Sequence, residues 1–256
     1  PGPRAMIAAA LAEVASAQGV PADLVVEVGI VDGARIALRT MNARLGILGG
    51  LSVLGTTGIV VPYSCGAWIA TIHRGIDVAR AAGLAHVAGA TGSTSEAAVK
   101  ALYGLPEQAL IDMGDFVGGM LKYLRRTPVP RVTVAGGFAK MCKLGQGLLD
   151  LHSRRDAVDF DWLAARVAEA GGSAAAVEAA RSANTALAVL EASRASGLPL
   201  AALVVQAAWT TASRALDRSD VRLDVVAFDR QGGFLAAAGA DALLTNAGES
   251  PQAARS

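Results

Sequence analysis

Three turns constrain this chain more than any other feature. Residues 55–58, 91–95 and 136–137 are rich in Gly, Ser or Thr. All three read as strand-to-helix turns. Leu84 to Ala90 and the β-branched run Arg131 to Ala135 read as buried strands, and Leu110 to Met113 as a strand end. Ser64 is placed to cap a helix running to about Ala82. Thr91 to Glu96 opens a second helix, with Ser93 and Glu96, or Thr94 and a nearby acid, as its caps. Phe116 to Leu124 reads as a third, and Gly136-Gly137 leads into a fourth that runs to about Leu149. Strands alternating with helices argue for a parallel α/β sheet. Ligands of such sheets bind outside the carboxyl ends of the strands, so the three turns are expected around one cleft.

The two ends of the chain read differently. Residues 4–18 carry Ile7, Leu11 and Val14 on one helical face, with Gly19 as the stop and Pro21 beyond it. Leu24 to Ile30 alternates like a half-buried strand, Val31-Asp32-Gly33 looks like a hairpin turn, and Arg35 to Leu38 returns. Helices are expected near 159–170, 174–196 and 199–216. A late strand pair follows at Val221 to Phe228 and Gly233 to Ala237. The expected class is α/β mixed with α+β. Residues 1–60 form an α+β segment completing a domain begun upstream, and residues 61–256 form an α/β domain with C-terminal helices and the strand pair. Because the chain opens Pro1-Gly2-Pro3-Arg4, without an initiator Met or signal peptide, its numbering is expected to begin inside a longer protein.

Composition narrows the partners. A hydrophobic fraction of 53% excludes disorder, and only 4% aromatics means a core of Ala, Val, Leu and Ile. The net charge of +1 gives no global pull toward nucleic acid or an anionic membrane. Residues 122–155, however, hold eight basic side chains and one acid, a local charge of +7. That segment suits an anionic small molecule, although a solvated helix face explains the charge equally well. Residues 45–72 and 195–213 are uncharged, but glycines and Pro62 interrupt the first and Pro199 and Gln206 the second. Neither is expected to span a membrane. Cys65 and Cys142 form no metal-type pair and are expected to be reduced thiols of a cytoplasmic protein.

The run Gly49 to Val60 lets backbone approach a ligand closely, yet it is neither a Walker loop nor a G-x-G-x-x-G fingerprint. Gly92 and Ser93 stand at a helix N-terminus that would favour an anion; ordinary capping explains them as well. Asp112 ends a strand, where an acid can act as a base, while Asp115 reads equally as an N-cap. Lys140 and Lys143 share one helix face. His152, followed by Ser153 and Arg154, is the best candidate for a proton carrier. His73 and His86 read as packing residues, and Cys142 as a small apolar one. No metal site is expected.

These segments, in this order, resemble the cobalt-precorrin-5B C(1)-methyltransferase family, the CbiD type of cobalamin biosynthesis. The resemblance is carried by Pro1-Gly2-Pro3-Arg4 with its helix, and by Asn42 to Gly50 running into Ser52 to Val60. Asp115-Phe116-Val117-Gly118, Lys140 through Gly147 and His152-Ser153-Arg154 also match. It is strong over about residues 1–160 and weak beyond. Where the family commonly has Gly-His, this chain has Gly137-Phe138, so no histidine role carries over there. The family's N-terminal region, with a Thr-Gly-Thr and alanine-rich signature, is not in this sequence.

The resemblance implies methyl transfer from S-adenosylmethionine to ring carbon 1 of an anionic tetrapyrrole. On that reading Lys140, Lys143 and Arg154 face substrate carboxylates, and His152 or Asp112 handles a proton. Gly55, Thr56, Thr57, Gly92 and Ser93 approach the cosubstrate or substrate. Homo-oligomerisation stays open. Two alternatives remain: a non-catalytic tetrapyrrole-binding scaffold of the same pathway, and an unrelated nucleotide-binding α/β transferase.

Overall fold

The computed structural model describes residues 2–55, 57–60, 64–152 and 157–239. Its contacts divide the chain into two units, residues 1–67 and 68–256.

In the first unit, α1 (Gly2–Gln18) forms where expected and stops at Gly19, but Ile7 and Val14 of its apolar face are exposed and Ala15 is its buried residue. A short helix α2 (Gly33–Ala37) and a 3-10 turn at Ala43–Leu45 follow. The expected strand and hairpin over residues 24–38 are not formed. Residues 20–30 have no regular structure, Leu24, Val25 and Val28 are exposed, and Arg35 closes back on Asp32 at 2.6 Å. Alternation gives a strand its two faces but not its ladder, and no described residue pairs with this backbone. The described residues of the glycine-rich stretch form no helix or strand, as its lack of periodicity predicts.

The second unit is built on a five-stranded sheet in the order β2-β1-β3-β4-β5. Helix α3 (Cys65–Ala81) opens where the Ser64 hydroxyl accepts from Ala67 N at 3.2 Å. Then come β1 (His86–Ala90), α4 (Ser93–Tyr103), β2 (Leu110–Asp112), α5 (Val117–Arg126), β3 (Arg131–Gly137) and α6 (Phe138–Gly145). Helices α7 (Phe160–Glu169), α8 (Ala174–Arg181), α9 (Ala186–Ala195) and α10 (Leu200–Leu216) lead to β4 (Arg222–Phe228) and β5 (Phe234–Gly239). Strands β1 to β4 pair in parallel and β5 is antiparallel to β4. The α/β class mixed with antiparallel structure is therefore correct.

Alternation along the strands serves two cores. Val87, Val132, Val134 and Val225 face a large layer with α3, α5, α6, α7, α9 and α10. Ala88, Ala135, Val226 and Phe228 face a smaller core under α4. Two helix boundaries differ from expectation. The segment 174–196 is two helices, because Ser182 to Thr185 offers side chains that compete with the helix; Thr185 caps α9 by accepting from Ala188 N at 3.2 Å. Helix α6 ends at Gly145 instead of near Leu149, since residues 148–151 turn back toward α5: Gly118 N donates to Leu149 O at 2.8 Å and Leu151 N to Asp115 O at 2.9 Å. Among the described residues no helix is long and apolar enough to cross a membrane.

A polar cluster lies at the amino ends of the strands. Asp224, 1% exposed, accepts from Arg131 Nε at 2.9 Å, and Tyr103 lies under that guanidinium at 4.7 Å. His86 meets Thr133 at 2.8 Å and the Tyr103 ring edge-on at 5.0 Å. Burial, then the Asp224 charge, pushes the Tyr103 phenol up to about 12. A phenol raised on folding contributes stability that is full below its unfolded value near 10 and lost as pH rises through the folded one. The urea midpoint should therefore fall between pH 10 and 12 more steeply in the wild type than in Tyr103→Phe. Parallel curves would show that Tyr103 is not the linked group.

Candidate functional site

The chain reverses direction between β1 and β3. After β1 it moves outward to β2 under α4, on one face; after β3 it moves the other way, through helices on the opposite face. This makes a topological switch point, the place where open α/β sheets hold ligands. A cleft of about 390 Å³ lies there, lined by residues 91–95, Gly137 to Lys140, Phe228 to Arg230, and the apolar Leu187, Leu190 and Leu235. Its walls start from the carboxyl ends of β1, β3 and β4.

The local chain geometry explains why these turns are small. A Cβ on Gly136 would lie 2.6 Å from Met141 Cε and 2.8 Å from Thr91 Oγ1, so glycine lets β3 end against the β1–α4 turn. At the start of α4 neither Ser93 nor Thr94 is the N-cap. Gly92 occupies the N-cap with no side-chain bond, and Ser95 Oγ donates instead to Gly92 O at 2.9 Å.

The two lysines of α6 share a partner but not an environment. Lys140 lines the cleft, pairs with Asp115 and donates to Leu151 O at 3.0 Å. Lys143 is buried and turned inward onto the same carbonyl at 3.4 Å. Burial turns it away from the expected position facing a substrate: both lysines clasp the Leu151 carbonyl, and Lys140 also ties the loop around it to Asp115 before α5. Asp115 serves that clasp and is no cap; the N-cap of α5 is Phe116.

The remaining expected residues fall as follows. Gly92, Ser93 and Lys140 come together in the cleft. Asp112 ends β2 opposite Ala90, where its carbonyl accepts from Trp68 Nε1 at 3.1 Å, and it is not among the described lining residues. His152 is exposed on the loop after Leu151, its N–H bonded to Asp150 at 3.2 Å, and does not line the cleft. Gly55 and Thr57 belong to the first unit. Thr56 and Arg154 lie outside the described residues. Cys142 is buried and burial pushes its thiol far up, so it is an apolar core residue. His73 stacks on Tyr123 at 4.0 Å, a packing role, as is that of His86.

Sequence reasoning missed Phe228, Asp229 and Arg230. The available signal was a charged pair at the carboxyl end of a strand, just before Gly232-Gly233. It carried no weight without knowing that β4 lies parallel to β3.

Comparison with known proteins gives this cleft its context. Residues 1–62 match the CbiD family model, and residues 150–239 match the model of the CbiD C-terminal domain. The cobalt-precorrin-5B C(1)-methyltransferase of Methylorubrum extorquens is 66% identical over 91% of this chain and 65% of its own length. The protein of the same name from Bradyrhizobium sp. is 65% identical over 91% of the chain and 62% of its own. That from Paramagnetospirillum magneticum is 59% identical, with 91% and 64% covered. The chain thus spans less than two thirds of the length of these curated relatives. No solved structure is significantly similar to it. Two family models at opposite ends of the chain, joined by relatives that align over 91% of it, show that the chain belongs to the CbiD family.

Proposed function

We propose that the protein methylates ring carbon 1 of cobalt-precorrin-5B with S-adenosylmethionine, in the cytoplasm, as a step of cobalamin biosynthesis. The observation that carries this reading is the 66% identity, over 91% of the chain, to a relative bearing that name. The cleft suits it chemically. Glycine and hydroxyl residues at 91–95 admit a close backbone approach, Phe228, Leu187 and Leu235 offer apolar surface, and Lys140 and Arg230 suit carboxylates.

S-Adenosylmethionine supplies a methyl group on a sulfonium; the carbon–sulfur bond breaks as the new carbon–carbon bond forms. An in-line transfer of this kind is accelerated mainly by holding both partners in line and dry. In this reading the turn at Gly92 and Ser93 orients the cosubstrate, and Lys140, fixed by Asp115, meets a carboxylate of the tetrapyrrole. Asp112 and His152 are not among the described lining residues of the cleft, so neither is assigned the proton of the ring in this reading.

Calorimetric titration with S-adenosylmethionine and S-adenosylhomocysteine tests the reading, followed by a methyl-transfer assay on cobalt-precorrin-5B. Saturable binding and a product heavier by one methyl group are expected. Failure to bind either compound in the presence of the tetrapyrrole would exclude it.

A further inference from the structure

The cleft has two cations among its described lining residues, and they differ in what they are free to do. Lys140 is committed to Asp115 and to Leu151 O. Arg230 is exposed and makes no ion pair with a described residue. Its position is nevertheless fixed. Gly137 pairs with Phe228, so the chain leaving β4 emerges beside the start of α6. Asp229 then ties the hairpin: its Oδ1 accepts from Gln231 N at 2.9 Å and Gly233 N at 2.7 Å, while its own N–H donates to Gly233 O at 2.8 Å. The Asp229 carboxylate is thereby occupied by the turn. Gly232, at φ +85°, leans the tip on α4; a Cβ there would sit 3.6 Å from Ala98 and 3.7 Å from Thr94.

We propose that Arg230 reads a carboxylate in this cleft in addition to Lys140, presented by the β4–β5 turn that Asp229 ties together. The inference rests on the proposed methyltransferase function and deepens it. A guanidinium offers a planar fork that matches a carboxylate with two parallel N–H···O bonds, which an ammonium cannot do. Both proposed ligands carry that group: the amino-acid end of S-adenosylmethionine and the side chains of the tetrapyrrole.

The test titrates wild type, Arg230→Gln and Arg230→Lys with S-adenosylhomocysteine and with 5′-methylthioadenosine, which lacks the amino-acid carboxylate. The KM for cobalt-precorrin-5B is measured in parallel. Loss of one charge-assisted bond predicts a tenfold or greater effect in Arg230→Gln, with Arg230→Lys recovering only part of it. Weaker S-adenosylhomocysteine binding with unchanged 5′-methylthioadenosine binding supports a cosubstrate carboxylate. Unchanged nucleoside binding with a raised KM supports a substrate carboxylate. If wild type binds and turns over while Arg230→Gln matches it in every arm, this inference is overturned and the proposed function stands. If wild type binds no S-adenosylhomocysteine with the tetrapyrrole present, the proposed function falls and takes the inference with it.

Discussion

Asp224→Ala is expected to destabilise the fold by about 3 kcal/mol, the low end of what breaking a buried pair costs. The carboxylate is 1% exposed and bonded to Arg131, whose side chain is 22% exposed. Removing it leaves a guanidinium over Tyr103 with its main counter-charge gone and only a partial route to water. The cost is set by that stranded charge more than by the strength of the pair. Removing both charges, as in Asp224→Leu with Arg131→Met, should therefore recover most of the loss. Urea unfolding gives the answer directly: a lower midpoint at unchanged slope in the single variant, and a recovered midpoint in the double. A loss below about 1 kcal/mol in Asp224→Ala would mean that the pair behaves as an exposed one.

Lys140→Met is expected to lower kcat/KM for methyl transfer by roughly ten- to a hundredfold, the range of one hydrogen bond to a charged group. It removes a cation from the cleft wall and half of the clasp on Leu151 O. Amide exchange in residues 148–151 should quicken in the same variant, because the loop keeps only Lys143 and its backbone bonds. Lys143→Met touches the clasp alone and should change turnover far less. Steady-state kinetics on the two variants separates these roles. Equal losses would show that Lys140 acts through the loop and not through the cleft.

Those two lysines also show how far the sequence could be read. The strand-to-helix turns at 91–95 and 136–137 are legible because local chemistry dictates them: small residues where backbone must turn and pack closely. The parallel order of the strands is not, since it depends on which distant runs bury each other. The switch point and Arg230 were hidden with it. Along the sequence, the +7 run from 122 to 155 suits an anionic small molecule or a solvated helix face. In space Arg131 goes to Asp224 at the amino ends of the strands, while Lys140 stands at the carboxyl ends and Lys143 is buried. Linear charge density carries no information about which end of a strand each residue occupies. The alternation at Leu24 to Ile30 failed for a related reason: periodicity describes a face and is silent about a partner.

The excursion from β3 to β4, residues 138–221, is roughly twice as long as that from β1 to β3, residues 91–130. Doubling a loop adds only about 0.6 kcal/mol of closure entropy, so the native state bears this detour at little cost. The order of assembly feels it more. Pairing β1, β2 and β3 needs only near neighbours, whereas β4 must find β3 across the whole helical layer. The wall that carries Arg230 is thus expected to be the last side of the cleft to form, which pulse-labelled amide exchange during refolding would check.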